Sequence, residues 1–432
     1  MVKALLDIVH RNRADESIAI PSVCTAHPDV LRIVLRYAAE VNQPIVIEAT
    51  SNQVNQEGGY TGMTPSQFVG FVSDLALNAG ADPTAIIFGG DHLGPQAWRN
   101  LPAKEAMAKT DVMIREYVQA GFYKIHLDCS EGCAGEPAQV DEQTAAQRAA
   151  RLMSVALHAS DNPESLTFVI GTEVPLPGGA RVDSHGDIAA TTAANAAATL
   201  QAHESAFVDA GLGDVQALVS GLVVQPGVEF GPMTVYHLPL DRSFDLRSVM
   251  MRWPNLALEA HSTDYQKPAA YPRLAELGFA YQKVGPALTF AWRQAIYALD
   301  QMLSFLHGSA PIVIPTMERI MLENAGAWQS HYQGEPNAKF AQRHLALADR
   351  IRYYWPHPDA QAAVSALMTA MESQTLNRSV SELFFPNSTL ERAELCGGLN
   401  AETLITSSVE QSLEPYFFHS GSFAAPARER SA

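Results

Sequence analysis

Short apolar runs alternate with longer, helix-like stretches along roughly the first 300 residues of the chain. Each run is bounded by glycine, proline or polar residues, as buried strands are. Because strands that alternate with helices are joined by crossovers, the pattern predicts a parallel sheet. The predicted strands are Ile18–Val23, Ile45–Ala49, Ile86–Gly90, Lys124–Asp128, Thr167–Glu173, Leu218–Gln225, Leu256–His261 and Phe279–Val284.

Eight such units predict an α/β fold, a (β/α)8 TIM barrel with a C-terminal helical extension. A doubly wound open sheet is the alternative, but it calls for a glycine-rich first turn, and the turn at Ser22–Pro28 has no glycine. Strand-like runs then give way to predicted helical stretches at Pro315–Gly326, Phe340–Tyr354 and Asp359–Ser373. We expect residues 1–300 to form the barrel, 301–419 a helical extension packed on it, and 420–432 a flexible tail.

Composition narrows the functional classes. The net charge is -17 and charged residues make up 17% of the chain, so a nucleic acid or an anionic membrane surface is a poor partner. No apolar stretch approaches the roughly 18 residues that a membrane span needs. The four cysteines lack the paired spacing of a structural zinc site and are expected to be reduced. We therefore expect a cytoplasmic protein.

Polar side chains stand at the C-terminal ends of most predicted strands, which is where TIM barrels carry out their chemistry. Partial burial of charged groups costs several kcal/mol unless they are paired or bind a metal. The pattern therefore predicts one convergent site. The candidates are Ser22 and Cys24, Glu48, Asp91 and His92, His126 and Asp128, Glu173, Gln225 and Glu229, Glu259 and His261, and Lys283.

A divalent metal is the predicted cofactor. His92 and His261, with a carboxylate such as Glu173 or Asp128, would make a three-ligand site with open positions. The remaining carboxylates would serve as general acid and base. His126 is interpreted as a structural, hydrogen-bonded residue. Two readings of Glu48 stay open, namely a substrate contact and an ion pair with Lys283 across the barrel.

A phosphate site is expected after the last strand. The segment that begins at Gly285 starts a helix, and a helix N-terminus offers backbone N–H groups to an anion. Ser262 and Lys283 are nearby candidates, and an ordinary helix start is the alternative. The chain has no G-x4-G-K-[ST] loop, so nucleotide binding of the P-loop kind is not supported.

Ten segments carry a resemblance to the non-catalytic subunit family of class II D-tagatose-1,6-bisphosphate aldolase, between about Ser22 and Pro356. They are SVCTAHP, EATSNQVNQEGGYTGMTP, FGGDHLGP, KIHLD, CAGEP, IGTEVPLPGG, VVQPGVEF, EAHSTDYQ, KVGPALTFA and DRIRYYWP. The resemblance implies a (β/α)8 barrel. It also implies one of three functions in tagatose 6-phosphate or galactitol breakdown: support of a catalytic class II aldolase subunit, phosphorylation of tagatose 6-phosphate, or C4 epimerisation of a ketose phosphate.

Of these, epimerisation of D-tagatose 6-phosphate to D-fructose 6-phosphate best suits a convergent set of acids and imidazoles. It is retro-aldol chemistry in which both fragments stay bound. For this reaction we expect His92, Glu173 and His261 on a divalent metal, with zinc preferred over manganese or magnesium. Asp91 and Asp128 would carry protons, and Glu48 and Gln225 would bind sugar hydroxyls. The expected partners are a phosphorylated ketose and a class II aldolase catalytic subunit, and an oligomer is the expected state.

Overall fold

The predicted strands close into a barrel in the computed structural model. All eight neighbouring pairs are parallel, and the TIM-barrel prediction is confirmed. The barrel strands are β1 Ile20–Cys24, β2 Ile45–Thr50, β3 Ile86–Leu93, β4 Lys124–Leu127, β5 Thr167–Ile170, β6 Val219–Val223, β9 Ala257–Ala260 and β10 Phe279–Val284, with the two-residue strands β7 Glu229–Phe230 and β8 Val235–Tyr236 between β6 and β9. Around the barrel the order is β1-β10-β9-β6-β5-β4-β3-β2.

The structure describes residues 2–171, 188–243 and 245–419. These residues group into two units. The first unit, residues 2–171, 188–229, 235–243 and 245–284, contains the barrel. Its helices are α1 Val2–Arg13, α2 Pro28–Glu40, α3 Pro65–Asn78, α4 Ala103–Gln119, α5 Glu142–Ala159, α6 Ala193–Asp209, α7 Arg247–Met250 and α8 Ala270–Glu276.

The second unit, residues 230–234 and 285–419, is helical. Its helices are α9 Pro286–His307, α10 Val313–Glu323, α11 Pro336–Leu345, α12 Pro358–Glu372, α13 Arg378–Ser381, α14 Asn387–Cys396 and α15 Ala401–Leu413. Helix α9, which crosses the predicted boundary at residue 300, groups with this unit, and the predicted tail 420–432 lies outside the described residues. No helix in the described part of the chain has the length and apolar character of a membrane span.

Helix α1 closes the N-terminal end of the barrel. Its buried face, Leu5, Ile8 and Val9, forms one apolar cluster with residues at the beginnings of the barrel strands, such as Ile20 and Val46. Burial of such side chains stabilises the fold by roughly 1.5–3 kcal/mol each. Because α1 and its apolar cluster occupy the N-terminal end of the barrel, the polar side chains are found at the opposite, C-terminal end of the strands.

The segment DRIRYYWP departs from the predicted helix over residues 340–354. Helix α11 ends at Leu345, and a 3-10 turn follows at Arg350–Tyr354. Between them Asp349 adopts a left-handed backbone with φ of 45°. Its buried carboxylate accepts hydrogen bonds from Thr289 Oγ1 at 2.6 Å and Arg293 Nε at 2.7 Å. Tertiary bonds to Asp349 therefore end the helix that local periodicity alone would continue.

Asn12 links α1 to the rest of the first unit and should contribute to the stability of the fold. Its fully buried amide donates to the carbonyl oxygens of Ile18 at 2.9 Å and Ala275 at 2.8 Å. Asn12→Ala leaves both carbonyls without this donor, so we expect the free energy of unfolding to fall by about 2 kcal/mol. Asn78→Ala, at the exposed end of α3, should change it by less than about 0.5 kcal/mol in the same denaturant titration. Equal effects of the two substitutions would contradict this role.

Candidate active site

Three histidines and an aspartate meet at the C-terminal end of the barrel. Asp91 and His92 come from β3, His126 from β4, and His261 directly follows β9. One potential ligand atom from each side chain lies within 4.8 Å of the others, and all four residues are buried. Closure of the sheet thus joins residues that are up to 170 positions apart in the sequence.

The glycines of the FGGDHLGP segment make this convergence possible. A Cβ atom on Gly89 would lie 2.9 Å from Glu48 Cγ, so glycine leaves room for the Glu48 side chain. A Cβ atom on Gly94 would lie 1.6 Å from the carbonyl oxygen of Asp128, so no other residue allows the ends of β3 and β4 to approach this closely. The segment therefore brings His92 next to the β4 end.

The backbone of His92 is strained, with φ of 46°. A left-handed conformation costs a residue with a Cβ atom about 1–3 kcal/mol, and it persists where neighbouring contacts fix it. In a regular strand, successive side chains would point to opposite faces. Here the turn at His92 brings its Nε2 to 3.6 Å from Asp91 Oδ1, so two consecutive side chains reach the same cluster.

The three imidazoles surround a common point. Their ring centroids are 4.9 Å apart for His92 and His126, 5.0 Å for His92 and His261, and 5.4 Å for His126 and His261. Each ring has one nitrogen next to a carboxylate: His92 Nδ1 at 2.8 Å from Asp128, His126 Nδ1 at 3.1 Å from Asp91, and His261 Nε2 at 2.9 Å from Glu259. This histidine–carboxylate pairing is typical of metal-ligating imidazoles.

One imidazole nitrogen supports a metal site directly. His126 is fully buried, and its Nε2 atom has no hydrogen-bond partner among the described residues. An unpaired buried polar atom costs about 1–3 kcal/mol, and ligation to a metal would remove that cost. Three imidazoles with a nearby carboxylate suit a divalent transition metal such as zinc. His92, His126 and His261 could therefore hold such an ion.

A set of ion pairs fills the barrel interior behind the imidazoles. Lys124 Nζ lies 2.7 Å from Glu48 Oε1 and 2.7 Å from Glu259 Oε2. Lys283 Nζ lies 2.6 Å from Glu48 Oε2 and 3.3 Å from Glu259 Oε1, and it also pairs with Asp91. Of the two readings of Glu48, the structure contains the ion pair with Lys283.

The balance of buried charge favours a divalent cation. The carboxylates of this interior set are Asp91, Asp128, Glu48 and Glu259, and its ammonium groups are those of Lys124 and Lys283. Four negative charges against two positive charges leave a net charge of about -2 with all imidazoles neutral, and of about -1 with His92 protonated. A buried charge without compensation is strongly destabilising. One divalent ion would neutralise it.

The electrostatics keep the carboxylates ionised. Burial by itself would raise the pKa of Asp91, but the charges on His92 and Lys283 outweigh it and hold that pKa well below its ordinary value. The pKa of Asp128 is also lowered, because its hydrogen bond with His92 outweighs its burial. Glu259 has a lowered pKa as well, since Lys124 and Lys283 outweigh the effect of burial.

The three imidazoles differ in their pKa values, and only a neutral imidazole can bind a metal. Burial and the neighbouring Lys283 lower the pKa of His261 to about 3, and burial also lowers the pKa of His126. Both rings are therefore neutral near pH 7, the form that ligates metals. For His92 the carboxylates of Asp91 and Asp128 outweigh burial and raise the pKa, so a metal would have to displace a proton there near neutral pH.

Most of the predicted site residues come together. Glu48, Asp91, His92, Asp128, His261 and Lys283 lie in one connected set of contacts. Glu173, the predicted carboxylate ligand, lies outside the described residues. Asp128 Oδ2 accepts from Gln96 at 2.9 Å in addition to its contact with His92, and Ser130 Oγ donates to its other oxygen at 2.7 Å.

The roles of three further predicted substrate contacts stay predictions. Gln225 follows β6, and its Oε1 accepts from the N–H groups of Gly227 at 2.8 Å and Val228 at 3.0 Å. Ser262 is half-buried with φ of 52°. Gly285 is the buried N-cap of α9 in the second unit, so the predicted helix start is present.

Sequence reasoning gave too little weight to three residues of the site. The sequence alone favours a structural role for His126, although this residue lies two positions before Asp128 and so shares its inward face. Glu259 was counted among the strand ends without a role, and it proves to be the partner of His261. Lys124, at the start of β4, was not considered. Its signal is a lysine at the first position of a predicted strand.

Comparisons with known proteins identify relatives that match nearly the whole chain. The sequence profile described as "D-tagatose-1,6-bisphosphate aldolase subunit GatZ/KbaZ-like" matches residues 5–420. A protein of Agrobacterium fabrum named D-tagatose 6-phosphate 4-epimerase is 43% identical over 98% of this chain and 99% of its own length. The D-tagatose-1,6-bisphosphate aldolase subunit GatZ of Klebsiella pneumoniae is 43% identical over 95% of this chain and 97% of its own length.

A solved structure shows the same fold. The crystal structure of a "probable tagatose 6 phosphate kinase" from Sinorhizobium meliloti superposes with a TM-score of 0.84 at 41% sequence identity. The match covers 93% of this chain and all of the other. The relatives therefore share one fold but carry three different functional names.

Replacement of His126 should abolish tight metal binding. His126→Ala removes one of three converging imidazoles, so we expect the affinity for zinc to fall by at least about 100-fold in a competition titration with a chromophoric chelator. His203→Ala is the matched control, because His203 is equally buried but bonds to the carbonyl oxygen of Thr199 on α6, outside the cluster. Equal zinc affinities of the wild type and His126→Ala would show that His126 is not a ligand.

Proposed function

The chain belongs to the D-tagatose-1,6-bisphosphate aldolase subunit GatZ/KbaZ-like family, and we propose that it is a metal-dependent epimerase of ketose 6-phosphates. The proposed reaction converts D-tagatose 6-phosphate into D-fructose 6-phosphate by inversion at C4. A relative with 43% identity along nearly the whole chain is named for this activity. The proposed cofactor is a divalent metal, with zinc preferred.

The observation that carries the proposal is the His92–His126–His261 cluster with its three carboxylate partners. A protein that served purely as a structural support would have no physical need to bury such a set. Inversion at C4 of a 2-ketose, by contrast, can proceed by cleavage and re-formation of the C3–C4 bond, which needs groups that accept and return a proton. Neighbouring acids and imidazoles at one barrel end supply the groups for it.

The proposed reaction is a retro-aldol cleavage followed by an aldol addition. The C4 hydroxyl loses its proton, a C4=O bond forms, and the C3–C4 bond breaks with its electron pair passing towards the C2 carbonyl. The aldehyde fragment turns over within the site and the C3–C4 bond reforms on its other face, after which the proton returns to the C4 oxygen. A divalent metal held by His92, His126 and His261 would supply Lewis acidity for the charge that develops on oxygen.

We assign the proton transfer to Asp91. Its carboxylate is ionised, since its pKa is held low by His92 and Lys283 although burial opposes this shift, and it lies next to the imidazole cluster. Its contact with Lys283 fixes its position. Asp91 can accept the C4 hydroxyl proton and return it after the aldehyde has turned over.

Asp128 is better suited to orient His92 than to move a proton. One of its oxygens contacts His92 Nδ1 and Gln96 Nε2, and the other accepts from the backbone N–H and hydroxyl of Ser130. With these four contacts, Asp128 has little capacity left for substrate. It would fix the tautomer of His92 so that Nε2 remains available as a ligand.

Three residues outside the imidazole cluster are our candidates for sugar and phosphate recognition. Glu48 is fully buried and bonded to both Lys124 and Lys283, so we place it behind the site rather than on a sugar hydroxyl. Gln225 remains our candidate for a hydroxyl contact. The helix start at Gly285 remains a candidate for the phosphate, for which a helix N-terminus is a suitable partner, and Ser262 remains a separate candidate.

The second candidate function is that of a subunit that supports a catalytic class II aldolase. It is favoured by the GatZ relative, whose identity of 43% equals that of the epimerase relative. The two functions differ in their dependence on the cluster, because support of a partner would not require His92 or Asp91. A kinase is the least favoured reading, since the sequence contains no P-loop for a nucleotide.

The decisive test is an assay of the purified full-length chain with D-tagatose 6-phosphate and added zinc, manganese or magnesium. We expect D-fructose 6-phosphate to form and the activity to disappear after treatment with a chelator. Asp91→Asn should lower kcat by about 100-fold or more, the contribution typical of a general base. Asp74→Asn, on the exposed face of α3, should retain full activity.

Two results would decide against the epimerase. One is the absence of fructose 6-phosphate from the wild type with every metal tested. The other is a stimulation of a class II aldolase that His92→Ala leaves unchanged, without any turnover by the chain alone. That second result would establish the supporting subunit instead.

A further inference from the structure

Lys124 is an unusual residue for the interior of a barrel. It is the first residue of β4, and its side chain has no exposed surface. Its ammonium group lies 5.1 Å from the centroid of the Tyr281 ring, an additional cation–π contact in a site without water access. A buried ammonium group of this kind requires nearly complete compensation.

Compensation comes from a closed ring of alternating charges. Lys124 contacts Glu48 and Glu259, and Lys283 contacts the same two carboxylates from the other side. The four side chains come from β4, β2, β10 and β9, so the ring spans the barrel interior. No member can move without the loss of contacts to two oppositely charged neighbours.

The ring is connected to the imidazoles at two points. Glu259 Oε1 lies 2.9 Å from His261 Nε2, and Lys283 pairs with Asp91, whose carboxylate lies 3.1 Å from His126 Nδ1. Glu259 has Lys124 on Oε2, while its Oε1 faces His261 and, at the longer distance of 3.3 Å, Lys283. Lys124 is thus the closer of the two lysines that hold Glu259.

We propose that Lys124 is a positioning residue: by fixing Glu259 through the ring of Lys124, Glu48, Lys283 and Glu259, it sets the orientation of His261 in the three-imidazole cluster. This role rests on the proposed metal-dependent function. A buried ion-pair network is often less stable than well-packed apolar residues of the same volume, so stability alone does not account for it. Orientation of a ligand imidazole does account for it, because such outer contacts hold the ring in its binding geometry.

The test replaces Lys124 by methionine, which keeps the length of the side chain and removes its charge. The readout is the titration of the full-length chain with cobalt(II), whose visible absorption reports the ligand geometry and whose titration curve gives the affinity. We expect Lys124→Met to change the cobalt spectrum and to weaken cobalt binding by about tenfold, the lower end of the effect seen for outer-shell residues. A purely structural lysine would lower the melting temperature and leave both properties of the folded protein unchanged.

Lys109→Met is the matched control. Lys109 also pairs with a glutamate, Glu57, and also lies over an aromatic ring, that of Trp98 at 5.9 Å, but it is exposed and lies outside the cluster. The Lys109→Met variant should bind cobalt with the same affinity as the wild type and give the same absorption spectrum. The comparison separates the position of Lys124 from the general effect of the loss of a lysine.

A double-mutant cycle tests the route through Glu259. Glu259→Gln should weaken cobalt binding, and Lys124→Met should add no further loss in that background, because its effect passes through the same carboxylate. The double variant also removes one charge of each sign, so it remains informative if Lys124→Met alone does not fold. Additive losses, or a wild-type cobalt spectrum and affinity for Lys124→Met, would overturn the proposal.

Failure of the metal-dependent function gives a different result. If the wild type binds no cobalt, the proposed function is wrong, and Lys124 is then tested in the metal-free protein. The ring-nitrogen NMR signals of His261 report its tautomer and its hydrogen bond to Glu259. They should shift in Lys124→Met and remain unchanged in Lys109→Met, and unchanged signals in both would reject the positioning role.

Discussion

The structure depends on the compensation of charges that are buried in the barrel. Closed parallel strands leave an interior without water, where an isolated charge would cost several kcal/mol. Here the lysines on β4 and β10 are placed between carboxylates from β2, β3 and β9. Every one of these contacts joins different strands, so the charges constrain the barrel in addition to filling it. The imidazoles then occupy positions that these carboxylates determine.

The backbone supports the same arrangement at the end of β3. Gly94 permits contact with the carbonyl of Asp128, and the register with β4 shifts between Gly90 and Leu93. The left-handed backbone of His92 is held there by the contact of its ring with Asp128. Local strain and side-chain contacts are therefore coupled, because relief of the strain would remove an imidazole from the cluster.

All eight barrel strands could be predicted from the sequence, because a strand buried in a barrel appears as a short apolar run between two helices. The same pattern placed Asp91, His92 and His261 at one end of the barrel.

The pattern did not assign His126 to the cluster, because the alternation of side chains along a strand shows which face a side chain occupies and not which residues it contacts there. Lys124 was missed because its partners, Glu48 and Glu259, lie 76 and 135 positions away along the chain and become neighbours through closure of the barrel alone. The predicted helix through Asp349 failed for the same reason, since buried bonds to Thr289 and Arg293 overrode local periodicity.

The relatives' different names pose a physical question that the buried charges help to answer. A supporting subunit needs a surface, and its interior is free to be apolar, which is usually the more stable choice. This interior instead holds four carboxylates against two ammonium groups beneath three imidazoles, one of which has a nitrogen without a partner in the described structure. A single divalent ion would resolve both features at once. That coincidence favours a chain that uses its own barrel for chemistry, and an aldolase partner on the outside would be compatible with it.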